Sequence, residues 1–127
     1  KEQVHLVYEN DNFIVFCPFA SRFPFEMEIT PKFHQPFFEM LENNQVHSFA
    51  NALQTALQKM EKLLPGQPYN FVLHTSPCSD SYREFYHWHV ELIPKLTKVA
   101  GFEWGSGFYI NPTTPEDAAK MLREAKV

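Results

Sequence analysis

The sequence predicts an α+β fold, in which an antiparallel sheet of about five strands carries one long helix and a short C-terminal helix on one side. Short runs of β-branched and aromatic residues flank polar turns, which is typical of hairpins. One central stretch instead repeats its apolar residues at steps of three and four, which indicates a helix. Strands that arrive as hairpins around one long helix favour an antiparallel sheet with its helices on one face.

The first three strands are predicted before residue 32. Two of them, at 4–8 and 13–17, lie on either side of the polar turn 9–12 and form a hairpin. The third is predicted over 25–30 and ends at Pro31, because apolar and polar side chains alternate there at period two. The alternating side chains are Phe25, Met27 and Ile29 against Glu26, Glu28 and Thr30. We expect the two carboxylates of this strand to be solvated and to have no chemical role.

The middle of the chain is predicted to form a long amphipathic helix and two more strands. The helix is predicted over 46–64, and Pro65-Gly66 ends it. A fourth strand is predicted over 69–75 and a fifth over 86–93, before Pro94. The apolar stripe of the helix comprises Val46, Phe49, Ala50, Leu53, Leu57, Met60 and Leu64.

A short helix is predicted near the C-terminus. Thr114 has the side chain of an N-cap, Pro115 suits the first turn, and Glu116 and Asp117 complement the positive end of the helix dipole. No internal repeat or low-complexity tract divides the chain. We therefore expect one domain, 1–127.

Composition restricts the class of protein. The 127 residues are 44% hydrophobic and 20% charged, as in an ordinary globular domain. A net charge of -4, without a cluster of basic residues, argues against long nucleic acid as a partner, and no apolar run is long enough to span a membrane. Cys17 and Cys78 form no motif, which favours a cytoplasmic protein. Because the chain begins at Lys1 without Met, we expect it to be part of a longer protein.

The fifth predicted strand carries the strongest chemical signal, His87-Trp88-His89-Val90-Glu91. Side chains alternate between the faces of a strand, so His87, His89 and Glu91 share one face, and the apolar residues face the core. Two histidines at i and i+2 lie close enough to bind one divalent ion such as Zn²⁺ or Fe²⁺. The same pattern also fits two half-exposed histidines that are hydrogen-bonded to backbone.

A third histidine favours the metal site. His74 ends the fourth predicted strand, and a hairpin between the fourth and fifth strands would bring it beside His87 and His89. A metal normally takes four or more ligands. The remaining position falls to Glu91, water or another segment of chain.

Several motifs together identify a family resemblance. The string 87–94, His-Trp-His-Val-Glu-Leu-Ile-Pro, occurs with Phe23-Pro24-Phe25-Glu26 and with 30–34, Thr-Pro-Lys-Phe-His. The segments 71–75 and 101–105 extend the pattern over nearly the whole chain. The sequence resembles the second of the two histidine-triad-like halves of galactose-1-phosphate uridylyltransferases, and ADP-glucose phosphorylases share much of the pattern. The resemblance implies a C-terminal, histidine-triad-like domain.

The resemblance also implies roles for individual residues. The family nucleophile belongs to a His-Pro-His motif in the first half, which this chain lacks, so the chain alone is expected to be inactive. His74, His87 and His89 match the ligands of a structural zinc or iron, which a Glu from the first half completes. Nucleotide contacts fall on the aromatic and small residues after the HxH strand: Phe102, Trp104, Gly105 and Ser106. The implied partners are a nucleotide sugar, a sugar 1-phosphate, the missing N-terminal half and a second subunit in a homodimer.

Two other functions remain open at this point. In free-standing histidine-triad hydrolases and phosphorylases the middle His of the motif attacks the α-phosphate, and His89 occupies that position here. Glu91 stands where the third histidine would bind phosphate, and its charge argues against this function. A non-catalytic binding module, whose histidines only stabilise the fold, is the other alternative. His34 is expected to be a surface or packing residue.

Overall fold

A computed structural model describes residues 3–127. The strands are β1 (Leu6–Glu9), β2 (Phe13–Phe16), β3 (Met27–Pro31), β4 (Tyr69–His74) and β5 (His89–Pro94). The helices are α1 (Asn43–Leu63), α2 (Gly101–Ser106) and α3 (Pro115–Glu124), and short 3₁₀ turns occur at Phe38–Met40 and Asp80–Tyr82. None of the helices in the described part of the chain combines the length and the apolarity that a bilayer crossing requires.

The five strands form one sheet in the order β1-β2-β3-β5-β4, and every neighbouring pair is antiparallel. This arrangement confirms the predicted fold class. Strand β5 lies between β3 and β4, and it pairs Glu91 with Glu28 on one side and His89 with His74 on the other. Strand β5, which carries His89 and Glu91, is therefore an inner strand of the sheet, and its partner β4 is an edge strand.

Helices α1 and α3 cover one face of the sheet. Phe13, Met27, Trp88 and Leu92 are fully buried beneath them. The stripe of α1 differs from the predicted one, because its most buried positions include Ala52, Ala56 and Met60, with the larger apolar residues at the margins. Alanines at the centre allow the helix to approach the sheet closely. Val46, which was predicted in the stripe, lies in the first turn and is 45% exposed.

The N-terminus of α3 forms as predicted. The Thr114 hydroxyl accepts a hydrogen bond from the backbone N–H of Asp117 at 3.2 Å, and Pro115 occupies the first turn. Ala118, Ala119 and Leu122 then pack into the core. The short C-terminal helix thus completes the same helical layer as α1.

The predicted starts of β3 and β5 are wrong, each for a local reason. Strand β3 begins at Met27 instead of Phe25, because Phe25 has φ 60 and cannot continue an extended strand. Strand β5 begins at His89 instead of Tyr86, because the backbone N–H of Trp88 donates to the Gln35 carbonyl of a loop at 3.2 Å. Gly105 lies near the end of helix α2, which Gly107 terminates with φ 75.

Strand β4 extends beyond the helical layer. Its apolar side chains on the core side of the sheet are exposed, with Phe71 at 59% and Leu73 at 39%. Their neighbours on β5, Leu92 and Val90, are buried. The sheet therefore ends in an edge strand whose apolar face nothing in the described part of the chain covers.

Candidate metal centre

Two histidines face each other across strands β4 and β5. His74 is the register partner of His89, and the two rings stack 4.8 Å apart with an interplanar angle of 18°. Directly opposed residues of an antiparallel pair bring their side chains close together on one face. This face is the one that α1 and α3 leave open. The sequence prediction that a hairpin-like pairing brings these two imidazoles together matches this geometry.

Glu91 joins the pair because it follows His89 by two residues on the same strand. Its Oε2 atom lies 3.3 Å from Nε2 of His74. The candidate ligand atoms of His74, His89 and Glu91 all lie within 4.8 Å of one another. Imidazole nitrogen and carboxylate oxygen are ligands that Zn²⁺ and Fe²⁺ accept. The chemistry of this donor set fits a divalent ion.

The free nitrogens of the two rings support this fit. Nδ1 of His89 lies 3.1 Å from the carbonyl oxygen of His87, which leaves Nε2 free for a ligand. Nε2 of His74 is buried and has no hydrogen-bond partner, although it is within ion-pair distance of Glu91. Two ligands bound at about 2.0–2.1 Å to one tetrahedral ion lie roughly 3.3 Å apart. Nε2 of His74 and Oε2 of Glu91 lie 3.3 Å apart without the alignment of a hydrogen bond. This separation suits two ligands of one ion.

A network of ion pairs and hydrogen bonds, which the sequence did not predict, holds the Glu91 carboxylate from the β3 side. Nη2 of Arg22 donates to Oε2 of Glu91 at 2.8 Å and to Oε1 of Glu26 at 3.0 Å. Glu26 is only 3% exposed, and its Oε2 accepts the backbone N–H groups of Arg22 at 2.7 Å and Phe23 at 3.2 Å. The expectation that Glu26 is solvated is therefore wrong, because the preceding loop folds over its carboxylate.

The protonation equilibria of this face reflect the network. Burial opposes ionisation of Glu91, but the hydrogen bond and charge of Arg22, with His74, outweigh burial and lower the pKa of Glu91. Burial raises the pKa of Glu28, and the charges of Glu91 and Glu26 raise it further against the opposing effect of the two histidines. Glu26 and Glu91 share the guanidinium of Arg22, and Glu28 adds a third carboxyl group opposite Glu91. Carboxyl groups therefore outnumber the guanidinium on this face, which favours a cation over an anion.

His87 lies outside this group. Its side chain is exposed, and its ring contacts that of His34 edge-on, with centroids 4.6 Å apart and an interplanar angle of 89°. Because β5 begins only at His89, the alternation that would align His87 with it does not extend back to residue 87. Of the three predicted histidines, the structure brings His74 and His89 together and places His87 against His34.

The predicted nucleotide-binding residues lie on the short helix α2. Phe102 is 64% exposed and Trp104 is 78% exposed. Ser106 Oγ donates to the Phe102 carbonyl at 2.6 Å. The chain beyond α2 returns to the loop that holds Arg22, since Tyr109 packs edge-on against Phe23 at 5.3 Å. The exposed aromatic rings are available to a partner or ligand from outside this domain.

Comparison with known sequences identifies relatives that are longer than this chain. No protein-family model matches it. An ADP-glucose phosphorylase of Arabidopsis thaliana is 39% identical over 129 aligned positions, which span all of this chain and 37% of that protein. A galactose-1-phosphate uridylyltransferase of Thermotoga maritima is 35% identical over 95% of this chain and 41% of its own length. The chain thus spans about two fifths of the length of these curated relatives.

Solved structures give the same result. The crystal structure of the Arabidopsis thaliana ADP-glucose phosphorylase with bound ADP-glucose superimposes with a TM-score of 0.93 at 39% identity, over 97% of this chain and 41% of that one. A uridylyltransferase structure has a TM-score of 0.89 at 32% identity, over 98% of this chain and 41% of that one. A zinc-bound histidine triad protein from Mycobacterium smegmatis shares the fold at 18% identity, with a TM-score of 0.67 over 94% of this chain and 81% of that one.

Proposed function

Because this chain is homologous over its whole length to galactose-1-phosphate uridylyltransferases and ADP-glucose phosphorylase, we propose that it is the C-terminal histidine-triad-like domain of a nucleotidyltransferase. The substrates in this proposal are nucleotide sugars and sugar 1-phosphates of the UDP-glucose and galactose 1-phosphate type. The observation that carries it is the match of the entire chain, at 39% identity and a TM-score of 0.93, to a relative of this class. The domain serves carbohydrate metabolism.

The proposed reaction is a double displacement. A histidine in the first half attacks the α-phosphorus of the nucleotide sugar, the bond to the sugar 1-phosphate breaks, and the sugar 1-phosphate leaves. A second sugar 1-phosphate then attacks the nucleotidyl-histidine and takes the nucleotide. The attacking histidine lies outside this chain, so this domain contributes scaffold, a metal site and part of the nucleotide pocket.

The proposed cofactor is one divalent ion, zinc or iron, bound through His74, His87 and His89. The stacked rings of His74 and His89, and the unpartnered Nε2 of His74, support the site. His87 is the least constrained of the three, because its side chain is exposed beside His34. When bound, the ion would tie β4 to β5 and so stabilise the edge of the sheet.

The proposed partners are the N-terminal half of the same protein and a second subunit in a homodimer. The exposed apolar face of β4 supports the first, because an edge strand with exposed Phe71 and Leu73 is suited to being covered or paired. The exposed rings of Phe102 and Trp104, with Gly105 and Ser106 beside them, would complete the nucleotide pocket across such a boundary. A cytoplasmic location is also part of the proposal, and the exposed free thiol of Cys78 suits a reducing compartment.

The surroundings of His89 disfavour its use as a nucleophile. A nucleophilic histidine must receive an anionic α-phosphate, whereas His89 stands beside the carboxylates of Glu91 and Glu28. A divalent cation matches this environment better than a phosphate does. We therefore retain the hydrolase or phosphorylase with a nucleophilic His89 only as an outcome of the test.

The test is an isotope-exchange assay on the full natural polypeptide that contains this chain. Labelled glucose 1-phosphate should enter UDP-glucose or ADP-glucose without any second acceptor, because double displacement allows each half-reaction to run alone. His89→Gln should slow the exchange without abolishing it, whereas Trp104→Ala should raise KM. Absence of exchange with every nucleotide sugar would contradict the proposal. Complete loss of exchange in folded His89→Gln would favour the nucleophilic role.

A further inference from the structure

We infer that the loop before β3 (residues 21–26, the entry loop) holds the segment around α2 (residues 100–110, the arm) in place, and that Tyr109 and Asn111 are the positioning residues through which it acts. This inference rests on the proposed function and deepens it. It concerns what keeps the exposed aromatic rings of the arm where a nucleotide can meet them.

The arm is a unit that packs little against its own domain. None of the residues of α2 is buried, and in the described part of the chain α2 packs extensively against no other helix or strand. The arm is nevertheless tied within itself, because the Glu103 carboxylate accepts the backbone N–H groups of Ala100 at 3.0 Å and Ile110 at 2.9 Å. These bonds join the residue before α2 to a residue beyond its end. The position of the whole arm therefore depends on what holds its ends.

The C-terminal end of the arm meets the entry loop at two points. The ring of Tyr109 packs edge-on against that of Phe23, with centroids 5.3 Å apart and an interplanar angle of 66°. Nδ2 of Asn111 donates to the Ser21 carbonyl at 3.2 Å. Oδ1 of the same side chain accepts the backbone N–H of Thr113 at 3.0 Å. Asn111 thus orders its own turn with one end of its amide and reaches the entry loop with the other.

A buried carboxylate fixes the entry loop. Glu26 is 3% exposed, and its Oε2 accepts the backbone N–H groups of Arg22 at 2.7 Å and Phe23 at 3.2 Å. The Arg22 guanidinium pairs with the same carboxylate and lies over the Phe23 ring, 5.8 Å from its centroid. Phe25 has φ 60, a conformation that persists only where the surroundings hold it. Ser21 and Phe23 flank Arg22, so both contacts with the arm start from a fixed backbone.

A fixed arm matters for affinity because a loose one must be ordered each time a nucleotide binds. The free energy of that ordering is subtracted from binding, and only the fraction of molecules with the arm in place binds directly. Tyr109 and Asn111 contact the entry loop, whereas the rings proposed to meet the nucleotide, Phe102 and Trp104, are 64% and 78% exposed. Loss of the anchor should therefore weaken binding and leave the reaction at phosphorus unchanged.

The first experiment measures kcat and KM for nucleotide-sugar exchange in variants of the full natural polypeptide. Tyr109→Ala and Asn111→Asp should each raise KM about 3–10-fold, the cost of ordering a few side chains. Both should change kcat by less than about 2-fold, as loss of uniform binding does. Asn111→Asp is the sharper variant, because it keeps an acceptor for Thr113 and removes the donor to Ser21.

Two control variants separate the anchor from general effects on the fold. Tyr109→Phe keeps the ring that packs on Phe23 and should have the KM of the natural protein. Phe19→Ala removes an aromatic ring just before the entry loop that is 83% exposed, and it should also leave KM unchanged. A rise of KM in Phe19→Ala equal to that in Tyr109→Ala would count against a specific anchor.

The second experiment follows the arm directly and does not require activity. In protein that contains fluorotryptophan, the fluorine resonance of Trp104 is identified by its absence from Trp104→Phe. The resonance of Trp88, which is 0% exposed, serves as the internal reference. Asn111→Asp and Tyr109→Ala should shift the resonance of Trp104 and leave that of Trp88 in place. An equal shift of both resonances would overturn the positioning role, because the variants would then disturb the core.

The outcomes separate this inference from the proposed function. A natural KM in both Asn111→Asp and Tyr109→Ala, with an unchanged Trp104 resonance, would overturn the inference and leave the proposed function intact. A lower kcat with an unchanged KM would also overturn it, because the anchor would then act on the reaction instead of on binding. Absence of exchange in the natural protein would contradict the proposed function, and the fluorine spectra would still test whether the entry loop holds the arm.

Discussion

Strand β5 has two faces that behave differently. On the side of the helices, Val90 and Leu92 are 2% and 0% exposed and belong to the apolar core. On the opposite side, His89 and Glu91 are half-buried among ionisable side chains. One stretch of alternating sequence thus provides stability on one face and candidate chemistry on the other. The difference predicts that substitutions on the helix-covered face cost more stability than substitutions on the open face.

The largest expected effect on stability belongs to the helix-covered face. Trp88 is fully buried, its rings lie against Phe13, Phe38 and Phe49, and its indole N–H donates to Gln35 Oε1 at 3.1 Å. Trp88→Ala should lower the free energy of unfolding by about 3–5 kcal/mol, because it removes a large core side chain and leaves a cavity. Urea denaturation followed by circular dichroism measures the change.

Phe85 provides the matched control, because it is an aromatic residue of the same loop that is 81% exposed. Phe85→Ala should change the free energy of unfolding by no more than about 0.5 kcal/mol. If both variants lost comparable stability, the distinction between a packed face and the rest of the domain would fail.

A smaller effect is expected where α1 meets the end of α3. The buried ammonium of Lys59 donates to the carbonyl oxygens of Leu122, Arg123 and Ala125 at 3.2, 3.3 and 2.7 Å. These groups terminate α3 and have no other helical donors. Lys59→Met keeps the apolar stem but leaves the carbonyls without the cation, so it should cost about 1–3 kcal/mol of unfolding free energy.

Lys62 offers the control for this lysine. It lies one turn further along α1, is exposed, and donates only to the Lys126 carbonyl at 2.6 Å. Lys62→Met should change thermal and urea midpoints little, since exposed contacts contribute little. Equal midpoints for Lys59→Met and Lys62→Met would show that burial of the ammonium does not matter.

The helix-covered face was largely predictable from sequence, because it depends on periodicity. Alternation along β5 placed Trp88, Val90 and Leu92 in the core, and the Thr114 cap located α3. The errors arose where the backbone leaves regular structure. The positive φ of Phe25 and the hydrogen bond from Trp88 to Gln35 depend on loops, and periodicity carries no information about them.

The open face was predictable only in part. The i, i+2 spacing placed His89 and Glu91 on one side, and strand pairing brought His74 to them. The Arg22 contact with Glu91 was not predictable, because it joins a loop to a strand that lies 69 residues later in the sequence. The position of His87 was missed because strand β5 begins two residues after it. Contacts between segments that are distant in sequence can be identified only once the fold is known.

The smallest expected effect concerns the protonation of Glu28 on the open face of the sheet. In the metal-free chain, burial raises the pKa of Glu28 above its ordinary value of 4.5, with the charges of Glu91 and Glu26 adding to burial. The folded state then binds the Glu28 proton more tightly than the unfolded state, so stability falls as pH rises from the unfolded pKa through the raised folded pKa. Glu28→Gln removes this penalty. In urea titrations with chelator present, it should raise the unfolding midpoint slightly near pH 7 and leave it unchanged near pH 4. A variant less stable than the natural chain at both pH values would mean that the Glu28 carboxylate stabilises this face instead of straining it.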